Sequence, residues 1–231
     1  GSFRGATWNA QALFARAPRR HFLKAHYLHR LVAKHDFVAV TEPHSSPGDA
    51  VAWRQPPGTT VWWSHGTAAR AGVGLVVQDS FLSLFDSDST VWDELIPGRA
   101  AALRLRGPRG CLDVYALYFA TGTPTLLGNE DRDHAQQAVQ TEVAVRRQRA
   151  HMRLRLGRSI PPSDESLTIL LGDFNWVTEP SDRILKSTAY RSVTNDKTEQ
   201  QHWEDTVARP HGLHEIHQPL HTHDSASTRS R

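Results

Sequence analysis

Cysteine and methionine each occur once in the 231 residues, as Cys111 and Met152. A single thiol excludes both a disulfide framework and a zinc site built on cysteine pairs. No apolar run reaches membrane-spanning length, and no basic stretch followed by an apolar core and a small-residue cleavage site opens the chain. A soluble, non-secreted protein is therefore expected. Charge of one sign is not in excess either: 27 Lys and Arg face 24 Asp and Glu, a formal +3. That balance permits contact with nucleic acid but does not by itself point to it. No compositional break divides the sequence, and 39% hydrophobic residues over this length suffice for one core, so a single domain over 1–231 is expected. An initiator methionine is lacking, and Gly1-Ser2-Phe3 and Ser230-Arg231 form the ends without a recognisable starting or terminating element. This reads as a segment of a longer polypeptide.

What is present centres on Leu167 to Trp176, Leu-Thr-Ile-Leu-Leu-Gly-Asp-Phe-Asn-Trp. A short run rich in β-formers ends in glycine and delivers Asp173 and Asn175 past its carboxyl end, where open α/β sheets keep their sites. Gly, Asp and Asn are also ordinary turn residues, so these positions alone describe a polar turn equally well. Other segments repeat the pattern. Phe3 to Asn9 reads as a short strand, and Asp36 to Thr41 as a compact apolar strand running into Glu42 and stopped by Pro43. Between them Pro18 introduces a helix with Phe22, Ala25, Leu28, Leu31 and Val32 on one side, ending near His35.

Pro47-Gly48 and Pro56-Pro57-Gly58 mark a loop-rich stretch around a turn of helix at Ala50 to Trp53. Strands are expected at Val61–Ser64, Gly72–Val77, Val91–Trp92, Ala100–Arg106 and Leu112–Phe119, mainly antiparallel. Tyr118 ends the last of these. Asn129 to Leu156 has helical spacing and no Pro or Gly, with Gly157 as its stop and a crowd of arginines at its end, read as a solvated face. Beyond Trp176 a short helix is expected to start at Glu179-Pro180-Ser181-Asp182. The rest is polar, with five histidines between His211 and His223, read as a solvated loop rather than a zinc site because their spacing does not fit. Most of the seven tryptophans are expected in the core, Trp176 being the one placed near a substrate.

Collected at one sheet edge, Asn9, Glu42, Tyr118, Asp173 and Asn175 give two carboxylates, two amides and a phenol, without a Ser or Cys triad. Such an oxygen-rich set suits Mg²⁺ completed by a substrate phosphate. A cation of this kind neutralises phosphoryl oxygens while a carboxylate orients the attacking water. The chemistry indicated is phosphoester hydrolysis.

Thr7-Trp8-Asn9, Val40-Thr41-Glu42, Arg70-Ala71-Gly72-Val73, Ala116-Leu117-Tyr118 and Leu171-Gly172-Asp173-Phe174-Asn175 follow one another in an order that resembles the endonuclease/exonuclease/phosphatase superfamily. They are similar to the apurinic/apyrimidinic-type endonuclease domains of non-LTR retrotransposons. The resemblance implies an α/β fold, a four-layer sandwich of two packed, mostly antiparallel sheets flanked by helices. It implies Mg²⁺, with Mn²⁺ as an alternative, ligated by Glu42, with Asn9 in the hydrogen-bonded network beside it. Asp173 would position or activate water, and Asn175 and Tyr118 would hold the scissile phosphate. DNA is the implied substrate, other domains of a longer polypeptide (reverse transcriptase among them) the implied partners, and nuclear or cytoplasmic action the implied setting.

The sequence also departs from the pattern. Gln11 stands two residues after Asn9, where an acid is usual, and Ala120-Thr121 replaces a Pro-Asn pair. An Arg-Ile-Asp-like segment and a final Ser-Asp-His motif, whose Asp and His complete the site, do not occur. The domain is accordingly expected to lack its final strands, which puts the activity of this segment in question. A phosphatase acting on small phosphoesters and a non-catalytic nucleic-acid-binding remnant are the alternatives.

Overall fold

The computed structural model describes residues 2–14, 18–66, 72–120, 132–176 and 196–216. Two four-stranded sheets form its centre. The first has the order β1-β2-β4-β3, with β1 (Gly5–Asn9) parallel to β2 (Phe37–Thr41), and with β2 and β3 (Thr59–Ser64) antiparallel to β4 (Val73–Gln78). The second has the order β5-β6-β7-β8: β5 (Val91–Ile96), β6 (Ala100–Gly107) and β7 (Gly110–Tyr118) are successively antiparallel, and β8 (Leu167–Asp173) is parallel to β7. Parallel neighbours need a long crossover. Helix α1 (Pro18–Val32) lies in the connection from β1 to β2, and α4 (Arg132–Ser159) in that from β7 to β8. Each parallel pair therefore brings two carboxyl ends side by side.

Alternation along the strands builds the layers. In β7, Leu112, Val114, Ala116 and Tyr118 enter the core between the sheets, while Tyr115 and Leu117 face outward. Phe37 and Ala39 of β2 and Val73, Leu75 and Val77 of β4 meet them from the first sheet. On the outer face of that sheet Val38, Val40 and Val76 are covered by Leu28 and Val32 of α1. Outside the second sheet Ala100, Ala102, Tyr115 and Leu117 are covered by Met152 and Leu156 of α4 and by Ile160 just past its end. The order helix, sheet, sheet, helix is the four-layer α/β sandwich that the sequence implied. Two short helices, α2 (Pro47–Ala52) and α3 (Asp79–Leu82), lie in the connections around β3 and β4. Among the described residues no helix is long and apolar enough to cross a membrane.

The last carbonyl of α4 has no partner within the helix. It is met from the sheet: Tyr115 Oη donates to Ser159 O at 2.9 Å, and Arg104 Nη2 donates to the same oxygen at 3.2 Å. Burial pushes the Tyr115 phenol above its ordinary pKa, which keeps it a neutral donor. Beside it the fully buried Asp113 lies 3.0 Å from Arg106 Nη2 and 3.6 Å from Arg104 Nη1, so its carboxylate is not an isolated buried charge.

Three expectations need correction. Gly157 does not stop α4, which continues to Ser159. The glycine is there for another element: a Cβ at this position would lie 2.9 Å from the backbone oxygen of Thr206. The chain after residue 195 is not merely a polar loop. It forms α5 (Asp196–Trp203), a π-helical turn at Glu204–Ala208 and a 3₁₀ turn at Arg209–His211. Val207 is buried, and His211 Nε2 meets Gly157 O at 2.9 Å. The arginines of α4 are not uniformly solvated, because Arg149 and Arg153 are buried. The expected helix start at Glu179–Asp182, residues 129–131 and His217 to His223 lie outside the described residues.

Gly157→Ala separates local propensity from packing. Helix propensity alone predicts a gain of about 1 kcal/mol, whereas forcing a methyl against the Thr206 carbonyl costs about 1–3 kcal/mol. The expected net result is a lower melting temperature. A rise in thermal denaturation would show that residues 204–208 do not pack on α4 as described.

Candidate active site

The two parallel pairs end at the same edge of the sandwich. On β1, Ala6 and Trp8 pack on the outer side, so the alternation turns Asn9 toward the opposing sheet. On β8, Ile169 and Leu171 face the inter-sheet core, which turns Asp173 toward Asn9. The two meet: Asn9 Nδ2 donates to Asp173 Oδ2 at 2.9 Å and to Glu42 Oε1 at 2.9 Å. One amide thus holds a carboxylate from each sheet. Its own oxygen accepts the N–H of Gln11 at 3.1 Å.

The other expected residues fall around this bridge. Tyr118 is opposite Asp173 in the β7–β8 register and is mostly buried, with the Arg99 guanidinium 4.6 Å above its ring. Asn175 donates its backbone N–H to Asp173 Oδ1 at 3.0 Å and its side-chain Nδ2 to Phe119 O at 2.7 Å. Both oxygens of Asp173 therefore accept a hydrogen bond, one from each sheet's strand-end segment. All five sequence-derived positions, Asn9, Glu42, Tyr118, Asp173 and Asn175, lie at this edge. One N–H of the Asn175 amide is used to tie the end of β7, leaving a single N–H for any ligand.

The sequence did not single out His44, whose Nε2 is 3.6 Å from Glu42 Oε2. Nor did it single out Arg149 and Glu199 behind the loop. Arg149, Met152, Arg153, Leu156 and Ile160 follow the i, i+3, i+4, i+7, i+11 spacing of one helix face, and that spacing was the available signal. Arg70 and Ala71 of the expected motif lie outside the described residues.

Backbone strain gathers at the same place. Among the described residues, the non-glycine positions with positive φ are Gln11 (43°), Ala12 (72°), Glu42 (52°), His44 (52°) and Asn175 (58°). Each left-handed L-residue costs about 1–2 kcal/mol, and such strain persists where surrounding bonds over-determine it. Those bonds are visible. Ala12 N donates to Glu42 O at 2.7 Å, Phe14 N to Pro43 O at 3.1 Å and Glu42 N to Gly72 O at 3.0 Å. Lys24 Nζ donates to the carbonyls of Gln11 and Ala12.

Trp176 is not placed to stack on a substrate. Its ring packs against Phe119 at 4.9 Å, Phe174 at 5.3 Å and Trp203 at 5.9 Å, and its indole N–H donates to Gln200 Oε1 at 3.1 Å. It anchors α5 behind the loop.

The family model described as the Endonuclease/Exonuclease/phosphatase family matches residues 6–218. The chain belongs to this family. Members of the endonuclease/exonuclease/phosphatase family are hydrolases acting on phosphodiester bonds, and they generally use divalent metals. Among solved structures the chain is similar to the AP endonuclease LMAP from Leishmania major, with a TM-score of 0.60 and 15% identity over 93% of this chain and 71% of that one. It is also similar to an AP endonuclease from Archaeoglobus fulgidus (TM-score 0.49, 18% identity, 80% and 62% covered). The endonuclease domain of TRAS1, a telomere-specific non-LTR retrotransposon, matches with a TM-score of 0.49 and 16% identity over 94% and 74% of the two chains. Comparison with curated proteins gives no match.

The donor set can be tested against a divalent metal. Among the described residues no three His, Cys, Asp or Glu side chains gather as a ready-made metal cage, which does not fit a structural zinc site. Two partly exposed carboxylates held at fixed separation do fit a hard cation that keeps several waters and takes the rest of its oxygens from a substrate.

Gly172 sets the position of Asp173. Its φ is +152°, and a Cβ there would lie 1.9 Å from Leu117 O on the neighbouring strand. Gly172→Ala is expected to push β8 off β7, lower stability by about 2–4 kcal/mol by overpacking and backbone strain together, and be visible as a fall in urea midpoint. An unchanged midpoint would mean that the two strand ends are not this close.

Proposed function

We propose that the site catalyses metal-dependent hydrolysis of DNA phosphodiester bonds, as an endonuclease of the retrotransposon and apurinic/apyrimidinic type. The observation that supports this most is the Asn9 amide held between Glu42 and Asp173 at 2.9 Å from each. Two carboxylates fixed beside one another have distinct tasks open to them, one toward a cation and one toward water.

Glu42, with one oxygen on Asn9, would hold the cation through its remaining acceptor capacity. Mg²⁺ bound there would supply neutralisation of phosphoryl charge, with Mn²⁺ as its substitute. Asp173 accepts one hydrogen bond on each oxygen, from Asn9 and from Asn175. Those two bonds fix the carboxylate's orientation and leave lone pairs to orient a water and take its proton. Asn9 acts through both carboxylates by holding their separation. Tyr118, opposite Asp173 in register, would direct its phenol to the phosphate, and the second N–H of the Asn175 amide is the matching donor. Such preorganised donors are worth most against charge that develops in the transition state.

Catalytic groups acting together are strongly non-additive, so removing one of these residues is expected to remove most of the rate. The test is nicking of supercoiled plasmid in Mg²⁺ and in EDTA. Nicking is expected in Mg²⁺ only, and Asp173→Ala is expected to reduce it about 10²- to 10⁴-fold. Glu42→Gln is expected to remove the Mg²⁺-dependent rise in melting temperature that ligand linkage produces in the parent chain. Turnover of a soluble phosphomonoester without nicking would make the protein a phosphatase instead. Salt-sensitive DNA binding with no turnover of either substrate would make it a binding remnant.

A further inference from the structure

Behind the site loop, on the side away from Glu42 and Asn9, lies a buried polar cluster that the hydrolytic roles above do not use. Arg149 projects from α4 with 6% of its surface exposed. Its Nε donates to Ala120 O at 2.9 Å, and its Nη2 donates to Asn175 O at 2.9 Å. These carbonyls belong to the segments that leave β7 and β8, just past the register pair Tyr118 and Asp173. Parallel pairing is carried a little further by Phe119 N donating to Asp173 O and by the Asn175 side chain on Phe119 O. After that the two chains part, and their carbonyls need partners of another kind. The planar guanidinium, with donors fixed in a fork, reaches both at once.

We propose that Arg149 is a positioning residue for the hydrolysis, acting on Asp173 through Asn175. Asn175 sits at φ 58°, a conformation that an asparagine adopts but that nothing in an isolated chain would select strongly. Three bonds select it: its N–H on Asp173 Oδ1, its amide on Phe119 O, and its carbonyl on Arg149. The third is the only one of these that comes from outside the two strand-end segments. Without it the carbonyl of Asn175 loses its anchor, and the left-handed geometry that aims the Asn175 N–H at Asp173 Oδ1 is held by the two strand-end bonds alone. From α5 an acid lies near Arg149 without taking part in the fork. Glu199, 4% exposed, approaches Arg149 Nη1 at 4.0 Å and is ion-paired with the buried Arg153. The Arg149 guanidinium also lies 5.9 Å from the Trp176 ring. The chain of influence runs from α4 to Asn175 to Asp173.

This inference rests on the nuclease reading given above, and the experiment separates the two. The full chain, Arg149→Met and Glu199→Gln are compared by thermal denaturation, by kcat and KM for Mg²⁺-dependent nicking, and by deuterium uptake of the amides from Asp173 to Trp176. Both variants are expected to melt lower. Arg149→Met is expected to reduce kcat about 10- to 100-fold with KM little changed, as loss of a group that orients a site residue does. Glu199→Gln, which keeps the fork on both carbonyls, is expected to hold most of the parent kcat. Deuterium uptake at Asn175 and Trp176 is expected to be about 10-fold faster in Arg149→Met only.

Equal loss of kcat in both variants, or unchanged uptake in Arg149→Met, would overturn the proposal by making the arginine a general support of the fold. If the full chain does not nick DNA, the nuclease reading fails while the uptake comparison still decides whether Arg149 holds the loop. If Arg149→Met does not fold, Arg149→Lys keeps the charge and loses the fork, and the same uptake criterion applies to it.

Discussion

A single side-chain amide joins the two sheets at the point where chemistry is proposed. Asn9 has two N–H donors on Nδ2, and the structure gives one acceptor from the first sheet and one from the second, Glu42 and Asp173. Two carboxylates brought this close in a partly buried cleft repel one another, so a neutral double donor between them is what lets them share the edge. A hydroxyl has one proton to give, and a lysine or arginine would neutralise the charge that the proposed cation would meet. The surrounding strain follows from this constraint. For both carboxylates to turn toward one amide, the chain must leave β1, β2 and β8 sharply, and the left-handed residues Gln11, Ala12, Glu42, His44 and Asn175 lie at those exits.

The sheet geometry that delivers these groups is a consequence of connection rather than of local preference. Most strand pairs here are antiparallel, yet the pairs that carry the site, β1 with β2 and β7 with β8, are parallel. A parallel pair with a crossover helix places both carboxyl ends on one side. Stacking two such pairs face to face brings four strand ends together. Glycine then sets how closely they approach: Gly172 packs its backbone against Leu117 O where no Cβ could fit.

Much of this was legible in the sequence because the signals were periodic. The alternation in Leu112 to Tyr118, the all-apolar β2 ending in Glu42, and Gly-Asp-Phe-Asn after a β-rich run identified the strands and the polar residues at their ends. The layer order followed from the family resemblance. What was not legible depended on partners distant in sequence. Gly157 has the form of a helix stop, and only the Thr206 carbonyl lying against it explains a glycine inside α4. Residues 196–211 are polar in composition, and their helical form is tied to Trp203 and Val207 packing on Phe119, Leu156 and Trp176. Trp176 follows the motif directly, which suggested a substrate face; the aromatic cluster behind the loop claims it instead.

The arginines of α4 show how composition and position diverge. Six guanidinium groups near one helix end suggest a solvated or phosphate-facing surface. The helix period instead turns Arg149 and Arg153 inward with Met152, Leu156 and Ile160, while Arg155 reaches the Leu95 carbonyl at 3.2 Å. Burying a guanidinium in such a stripe is costly unless its donors are met. Here Arg149 is met by carbonyls that leave the sheet, and Arg153 by Glu199. An apolar residue of similar size at position 149 would lie near Trp176 as well, but it would leave the oxygens of Ala120 and Asn175 without this donor. The side of the loop that faces Glu42 presents the groups proposed for chemistry. The side that faces α4 holds them still, and both demands fall on the few residues after Gly172.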